Sequence, residues 1–95
     1  MNGLPTSPPP AARTAAHVLV AVLPPGTTPI YRADWLTPYT AQTIADDALR
    51  AGRGTQLEVT VPSAADDAVL EDVRDEFGWL CGRGIHLRVH RAYPE

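Results

Sequence analysis

Between His17 and Leu23 both alternating sets of residues are apolar: Val18, Val20 and Val22 on one side, Leu19, Ala21 and Leu23 on the other. A short run of that kind predicts a buried, central strand. Pro24-Pro25-Gly26-Thr27-Thr28-Pro29 ends it in a turn-forming loop. Ile30–Ala33 reads as a short second strand, returning antiparallel as a sheet edge. Helical spacing then takes over. Ala41, Ile44, Ala45, Ala48 and Leu49 fall on one stripe, with Asp46, Asp47 and Arg50 outside it. Thr37 is placed as the N-cap and Pro38 at the first helical position, where its missing N–H costs nothing. From Gln56 to Val61 the period becomes two, with Leu57, Val59 and Val61 opposite Gln56, Glu58 and Thr60. Pro62 stops that strand. Ser63 is expected to cap a second helix, with Asp66 supplying a carboxylate near its positive end. Val69, Leu70, Val73, Phe77 and Leu80 form its buried stripe, and Asp67, Glu71, Asp72 and Asp75 lie outside it. The last strand alternates Ile85, Leu87 and Val89 with His86, Arg88 and His90.

Both helices run into the same corner, Gly52-Arg53-Gly54 and Gly82-Arg83-Gly84, and each corner leads into a strand. Glycine after a helix supplies a left-handed cap that other residues adopt only with strain. The order is therefore β(β)αβαβ. Strand–helix–strand crossovers are right-handed and join parallel strands. The expected fold is an α/β two-layer sandwich: a mostly parallel sheet of three or four strands with two helices on one face. The other face is open and carries Glu58, Thr60, His86, Arg88 and His90, with Leu19 and Ala21 from the first strand.

Composition narrows this picture without redrawing it. Residues 1–16 are rich in Pro and Ala, carry one charge (Arg13) and show no periodicity, so they read as a disordered tail. Residues 17–92 then form one domain, followed by a short tail, 93–95. A core of about eighty residues is small, which favours association with a partner or with itself. One cysteine, Cys81, excludes an intrachain disulfide framework and fits a reducing, cytoplasmic setting. The apolar run Val18–Leu23 is too short to span a membrane, and no signal-peptide pattern opens the chain. All eight basic residues are arginine, and Ala, Gly and Pro abound, as in a GC-rich bacterial genome such as an actinobacterium's. The net charge of −3 argues against wrapping a nucleic-acid backbone.

The candidate chemistry is sparse. His86 and His90 share a face but stand roughly 13 Å apart along a strand, too far to share one metal ion. Cys81 lies on the edge of the second helical stripe, where it is expected to pack as a small hydrophobe. The adjacent pairs Asp46-Asp47 and Asp66-Asp67 diverge on a helix and form no facing carboxylate pair. No GxSxG, Walker A or GxGxxG sequence occurs. No catalytic residues, cofactor or metal are therefore assigned. Arg53 and Arg83 would meet at the amino ends of parallel strands, whereas ligands in such sheets bind at carboxyl ends. The carboxyl-end loops hold Thr27, Thr28 and Ser63, candidates for an anion site or a phosphorylation switch, with a plain N-cap as the simpler role for Ser63. Trp79 follows Gly78. Either the helix bends there and tucks the indole in, or Trp79 is an exposed interface anchor.

Asp47-Ala48-Leu49 closing a helix, the strand Leu57–Val61, the helix-capping Ser63 and the turn Arg83-Gly84-Ile85-His86-Leu87 together resemble the STAS domain of bacterial anti-sigma-factor antagonists. The likeness runs from Tyr39 to Val89, a little over half the chain, and rests on generic α/β features. The resemblance implies a regulatory, non-enzymatic α/β domain with a phosphorylatable serine at the position of Ser63. Val61-Pro62-Ser63-Ala64-Ala65 stands where the family carries an Asp-Ser-Gly-type switch, and the family's C-terminal helix has no counterpart.

These readings converge on a cytoplasmic, non-enzymatic protein–protein interaction module, regulatory and self-associating. The alternatives are a nucleic-acid-associated regulator using Arg88, Arg91 and the histidines, or a small accessory subunit of an enzyme or mobile-element system.

Overall fold

The computed structural model describes residues 17–93; the expected N-terminal tail and residues 94 and 95 lie outside the described residues. The chain forms β1 (His17–Leu23), β2 (Ile30–Trp35), α1 (Pro38–Ala51), β3 (Gln56–Val61), α2 (Asp67–Phe77), a 3-10 turn (Gly78–Arg83) and β4 (His86–Arg91). The four strands make one sheet in the order β2-β1-β3-β4. The α/β class and the two helices are as the periodicity predicts.

The sheet is mixed, which corrects the expectation of a mostly parallel one. β1 is antiparallel to both of its neighbours, and only β3 and β4 are parallel partners. The cause lies in two connections. The Pro24–Pro29 loop is a hairpin that returns β2 antiparallel to β1. Helix α1 then carries the chain over β1 and sets β3 on its far side. β3 is thus parallel to β2 without touching it. A crossover fixes the direction of the next strand relative to the one before it; adjacency is a separate matter.

One face of this sheet is buried under both helices. Val18, Val20 and Val22 of β1 and Leu57, Val59 and Val61 of β3 point into a core shared with Ile44, Ala45 and Ala48 of α1 and Leu70, Val73 and Phe77 of α2. Three alanines on α1 let that helix sit close to the sheet. β1 is central, as expected, but only its valine side is buried: Leu19, on the other set, is 54% exposed.

Local chemistry sets most element ends. Thr37 caps α1 through a reciprocal box, in which Thr40 N–H donates to Thr37 Oγ1 at 3.2 Å and Thr37 N–H to Thr40 Oγ1 at 2.8 Å. Pro38 follows at the first helical position. Gly52 ends α1 at φ 100°, with its N–H on the carbonyls of Ala48 and Leu49.

Helix α2 begins later than the sequence suggests. Ser63 is not its cap; Asp66 is, accepting Val69 N–H at 3.2 Å. Pro62–Ala65 closes a turn instead, and Arg91 of β4 holds that segment, donating to Ala65 O at 2.7 Å and pairing with Asp67 at 2.6 Å. At its other end α2 gives way at Gly78 to the 3-10 turn.

The two glycine corners are not copies. Gly82 lies inside the 3-10 turn, and Gly84 takes the left-handed conformation at φ 86°. The corners touch, with Gly54 N–H donating to Gly84 O at 2.8 Å.

Beside them Thr55 is fully buried and its hydroxyl has no hydrogen-bond partner among the described residues. An orphaned hydroxyl costs about 1–3 kcal/mol of desolvation, whereas an apolar group of the same shape costs nothing of the kind. Thr55→Val is therefore expected to stabilise the domain by about 1 kcal/mol. A urea melt checks this: the midpoint should rise, and a fall would mean that the hydroxyl is satisfied.

Candidate interaction face

The open side of the sheet is assembled by register. Leu19 of β1 lies between Ala33 of β2 and Thr60 of β3, and Thr60 faces His90 of β4. In the next row Ala21 lies between Tyr31 and Glu58, and Glu58 faces Arg88. Gln56 faces His86, and at the opposite end His17 faces Trp35. The five residues expected on this face, Glu58, Thr60, His86, Arg88 and His90, are thus brought together on it.

The face has two halves of different chemistry. Over β3 and β4 the polar groups satisfy one another. Arg88 pairs with Glu58 at 3.7 Å, Gln56 donates to Glu58 at 2.6 Å, and Thr60 Oγ1 meets His90 Nε2 at 3.3 Å. His86 and His90 are separated by Arg88 along β4, and neither joins a cluster. Among the described residues no group of three or more His, Cys, Asp or Glu side chains could hold a metal ion.

Over β2 and β1 the face is apolar and aromatic. Tyr31 is 72% exposed and Trp35 59%, with Leu19, Ala21 and Ala33 between them. The Trp35 ring meets His17 edge-on at 5.3 Å between centroids. Leu19, Ala21, Tyr31 and Ala33, with Glu58 and Thr60, line a shallow trough of about 540 Å³ along the seam between the two halves.

Sequence reasoning missed this aromatic half. The signal was present in the alternation of Tyr31, Ala33 and Trp35 against Ile30, Arg32 and Asp34. Ending the strand at Ala33 hid it. The charged set lies on the helix side, where Arg32 reaches Asp47 of α1 at 3.5 Å.

The other candidates do not join the face. Thr27 and Thr28 lie in the β1–β2 hairpin, at the end of the sheet that holds the glycine corners; Pro25 from that loop approaches Gly54. Ser63 follows β3 at the opposite end, because β1 and β3 are antiparallel. The three hydroxyls therefore make no common site, and the shared end that a parallel sheet would give them is absent.

Trp79 lies in the 3-10 turn, outside the strands of the open face, and is 47% exposed with the Arg83 guanidinium 5.9 Å from its ring centroid. The helix does break at Gly78, but the indole is not tucked in. Cys81 is exposed rather than packed into the core, because the 3-10 turn moves it off the α-helical stripe. Arg53 lies over Gly84, while the Arg83 guanidinium faces the Trp79 ring.

Among the described residues no helix is long and apolar enough to cross a membrane. Comparison of the chain with family models, curated proteins and solved structures gives no match.

Proposed function

We propose that this chain is a non-enzymatic, regulatory protein–protein interaction module that acts in the cytoplasm and binds a protein partner through the open face of its sheet. The observation that carries the reading is the contiguous band of exposed Leu19, Tyr31, Ala33 and Trp35, with half-buried Ala21 among them, beside a polar field in which Glu58 pairs with Arg88. Exposed apolar patches bordered by polar residues mark interaction sites. Tyrosine and tryptophan are the side chains that most often anchor such contacts. The paired Glu58 and Arg88 supply polar edges that can fix orientation at little net cost. The regulatory part of the proposal draws on the resemblance to STAS domains.

The test is site-specific photo-crosslinking in the producing cells, with the photoreactive residue at Ala21. A discrete protein adduct is expected, and Leu19→Glu should abolish it. The same probe at Glu71 on α2 should give none. If the Ala21 adduct survives Leu19→Glu, or no adduct forms, the face is ordinary solvated sheet.

A further inference from the structure

We infer that a second copy of this chain pairs with it antiparallel along β2, joining two four-stranded sheets into one continuous eight-stranded sheet. The inference rests on the proposed interaction module and on the self-association that so small a core favours. It places the contact on the sheet edge and leaves the open face free.

β2 is an edge strand, with β1 on one side and no strand on the other among the described residues. Such an edge is a template for pairing unless it is protected. In an antiparallel pair related by a two-fold axis, opposing residues lie on the same face of the sheet. For β2 this admits registers centred on a residue, and centring on Ala33 gives a complementary set. Arg32 then faces Asp34 of the second copy, and Asp34 faces its Arg32, on the helix side. Tyr31 faces Trp35 of the second copy on the open side, where both rings are exposed. Small Ala33 faces itself at the axis. Opposite charges and aromatic pairs directly across a ladder are the combinations that stabilise sheets.

The neighbouring registers are disfavoured by the same rule. Centring on Arg32 sets arginine against arginine, and centring on Asp34 sets aspartate against aspartate. The other edge gives a contrast. β4 reads His86-Leu87-Arg88-Val89-His90-Arg91. Centring it on Arg88 opposes two arginines and His86 to His90; centring it on Leu87 or Val89 opposes arginine to histidine. No register of β4 offers an acidic partner, and basic side chains on an edge are a recognised guard against pairing. One edge is thus closed to a second copy, and the other is complementary to it.

Existing contacts are compatible with the pairing. Arg32 already pairs with Asp47, and its guanidinium has further donors for a second carboxylate. Asp34 uses Oδ1 on Trp35 N–H at 2.8 Å, which leaves Oδ2 for the arginine of the second copy.

The experiment has two arms. In the first, light scattering measures mass for the wild type, for Asp34→Arg, for Arg32→Asp and for an equal mixture of the two variants. The wild type should be a dimer, and each variant alone should dissociate about tenfold or more readily, because like charges then meet twice. The mixture should recover the dimer. One variant then carries arginine at both positions and the other aspartate at both, so opposite charges meet on either side of the axis. In the second arm Ala33→Cys, in a Cys81→Ser background, should form an interchain disulfide. Across the axis the two Cα atoms would lie about 4.5–5.5 Å apart, within reach of a disulfide. Tyr31→Cys and Trp35→Cys should not cross-link, because each would stand about 13 Å from its own copy. The second arm decides the matter if Arg32→Asp fails to fold.

A wild type that stays monomeric at its highest soluble concentration overturns the inference. So does a dimer that Leu19→Glu dissociates while Asp34→Arg leaves it intact. That second result would move self-association to the open face without touching the interaction-module reading. Absence of any Ala21 adduct from the chain with Leu19 unchanged, with the edge dimer intact, would do the reverse.

Discussion

Phe77→Ala is expected to cost about 3–5 kcal/mol and to leave the domain close to its unfolding threshold. Phe77 is among the largest side chains fully removed from solvent, and it closes α2 just where the helix gives way to the 3-10 turn. Its ring shares the core with valines from β1 and β3 and with alanines of α1. Alanines on a helix backbone cannot extend to refill the space, so a cavity would remain. A domain spanning residues 17–93 has a stability of roughly 4–12 kcal/mol by size alone. The loss is therefore a large part of the whole. Far-UV circular dichroism during urea titration should show the midpoint reduced by about a quarter at the least, and by about half at mid-range values. Phe77→Leu keeps most of the volume and should cost under about 1.5 kcal/mol. If Phe77→Ala costs no more than Phe77→Leu, the core can collapse around the gap and the ring is not its centre.

Gly84→Ala should cost about 1–2 kcal/mol from backbone strain alone, because Gly84 sits at φ 86° and ψ 13°. A second effect adds to it. A Cβ at Gly84 would lie 3.0 Å from Arg53 Cγ and 3.2 Å from Arg53 Cβ. Overpacking of that kind contributes on the order of 1 kcal/mol where the neighbour can move. Two further variants separate the parts. Gly84→Asn keeps the clash but tolerates the left-handed conformation better, so it should lose less than Gly84→Ala. Arg53→Ala combined with Gly84→Ala removes the contacts at Arg53 Cγ and Cζ, leaves the one at Cβ and keeps the strain, so the pair should be less costly than the sum of the single changes. Additive losses, measured by the same urea titration, would show that the arginine moves aside freely. Because Gly84 O accepts Gly54 N–H and His86 N–H donates to Thr55 O, the strain falls where β3 and β4 begin their pairing.

The segments easiest to read in the sequence are those whose cause is local. The alternation in Gln56–Val61 and in Ile85–His90, the cap at Thr37 and the stop at Gly52 each depend on residues within one turn or one strand. The start of α2 was not legible for the same reason reversed. Ser63 and Asp66 are both competent caps, and a contact from Arg91, 24 residues beyond Asp67, accompanies the later start. The aromatic half of the open face was hidden in a different way. Tyr31 and Trp35 alternate correctly, but nothing in the strand itself says that β1 will set them beside Leu19 and Ala21.

Side-chain periodicity, with caps that act over a few residues, settles which segments are strands and helices and which alternating set of each strand is apolar. These are properties of the linear chain. The neighbours of each strand and their directions came from the folded molecule alone. The hairpin after β1 and the passage of α1 over it made the sheet mixed. That one reversal moved Thr27 and Thr28 to the end opposite Ser63. It also left β2, with Arg32, Ala33 and Asp34 at its middle, as an edge strand among the described residues. Strand order arises from contacts between residues far apart in the chain, and no periodicity within a single strand encodes it.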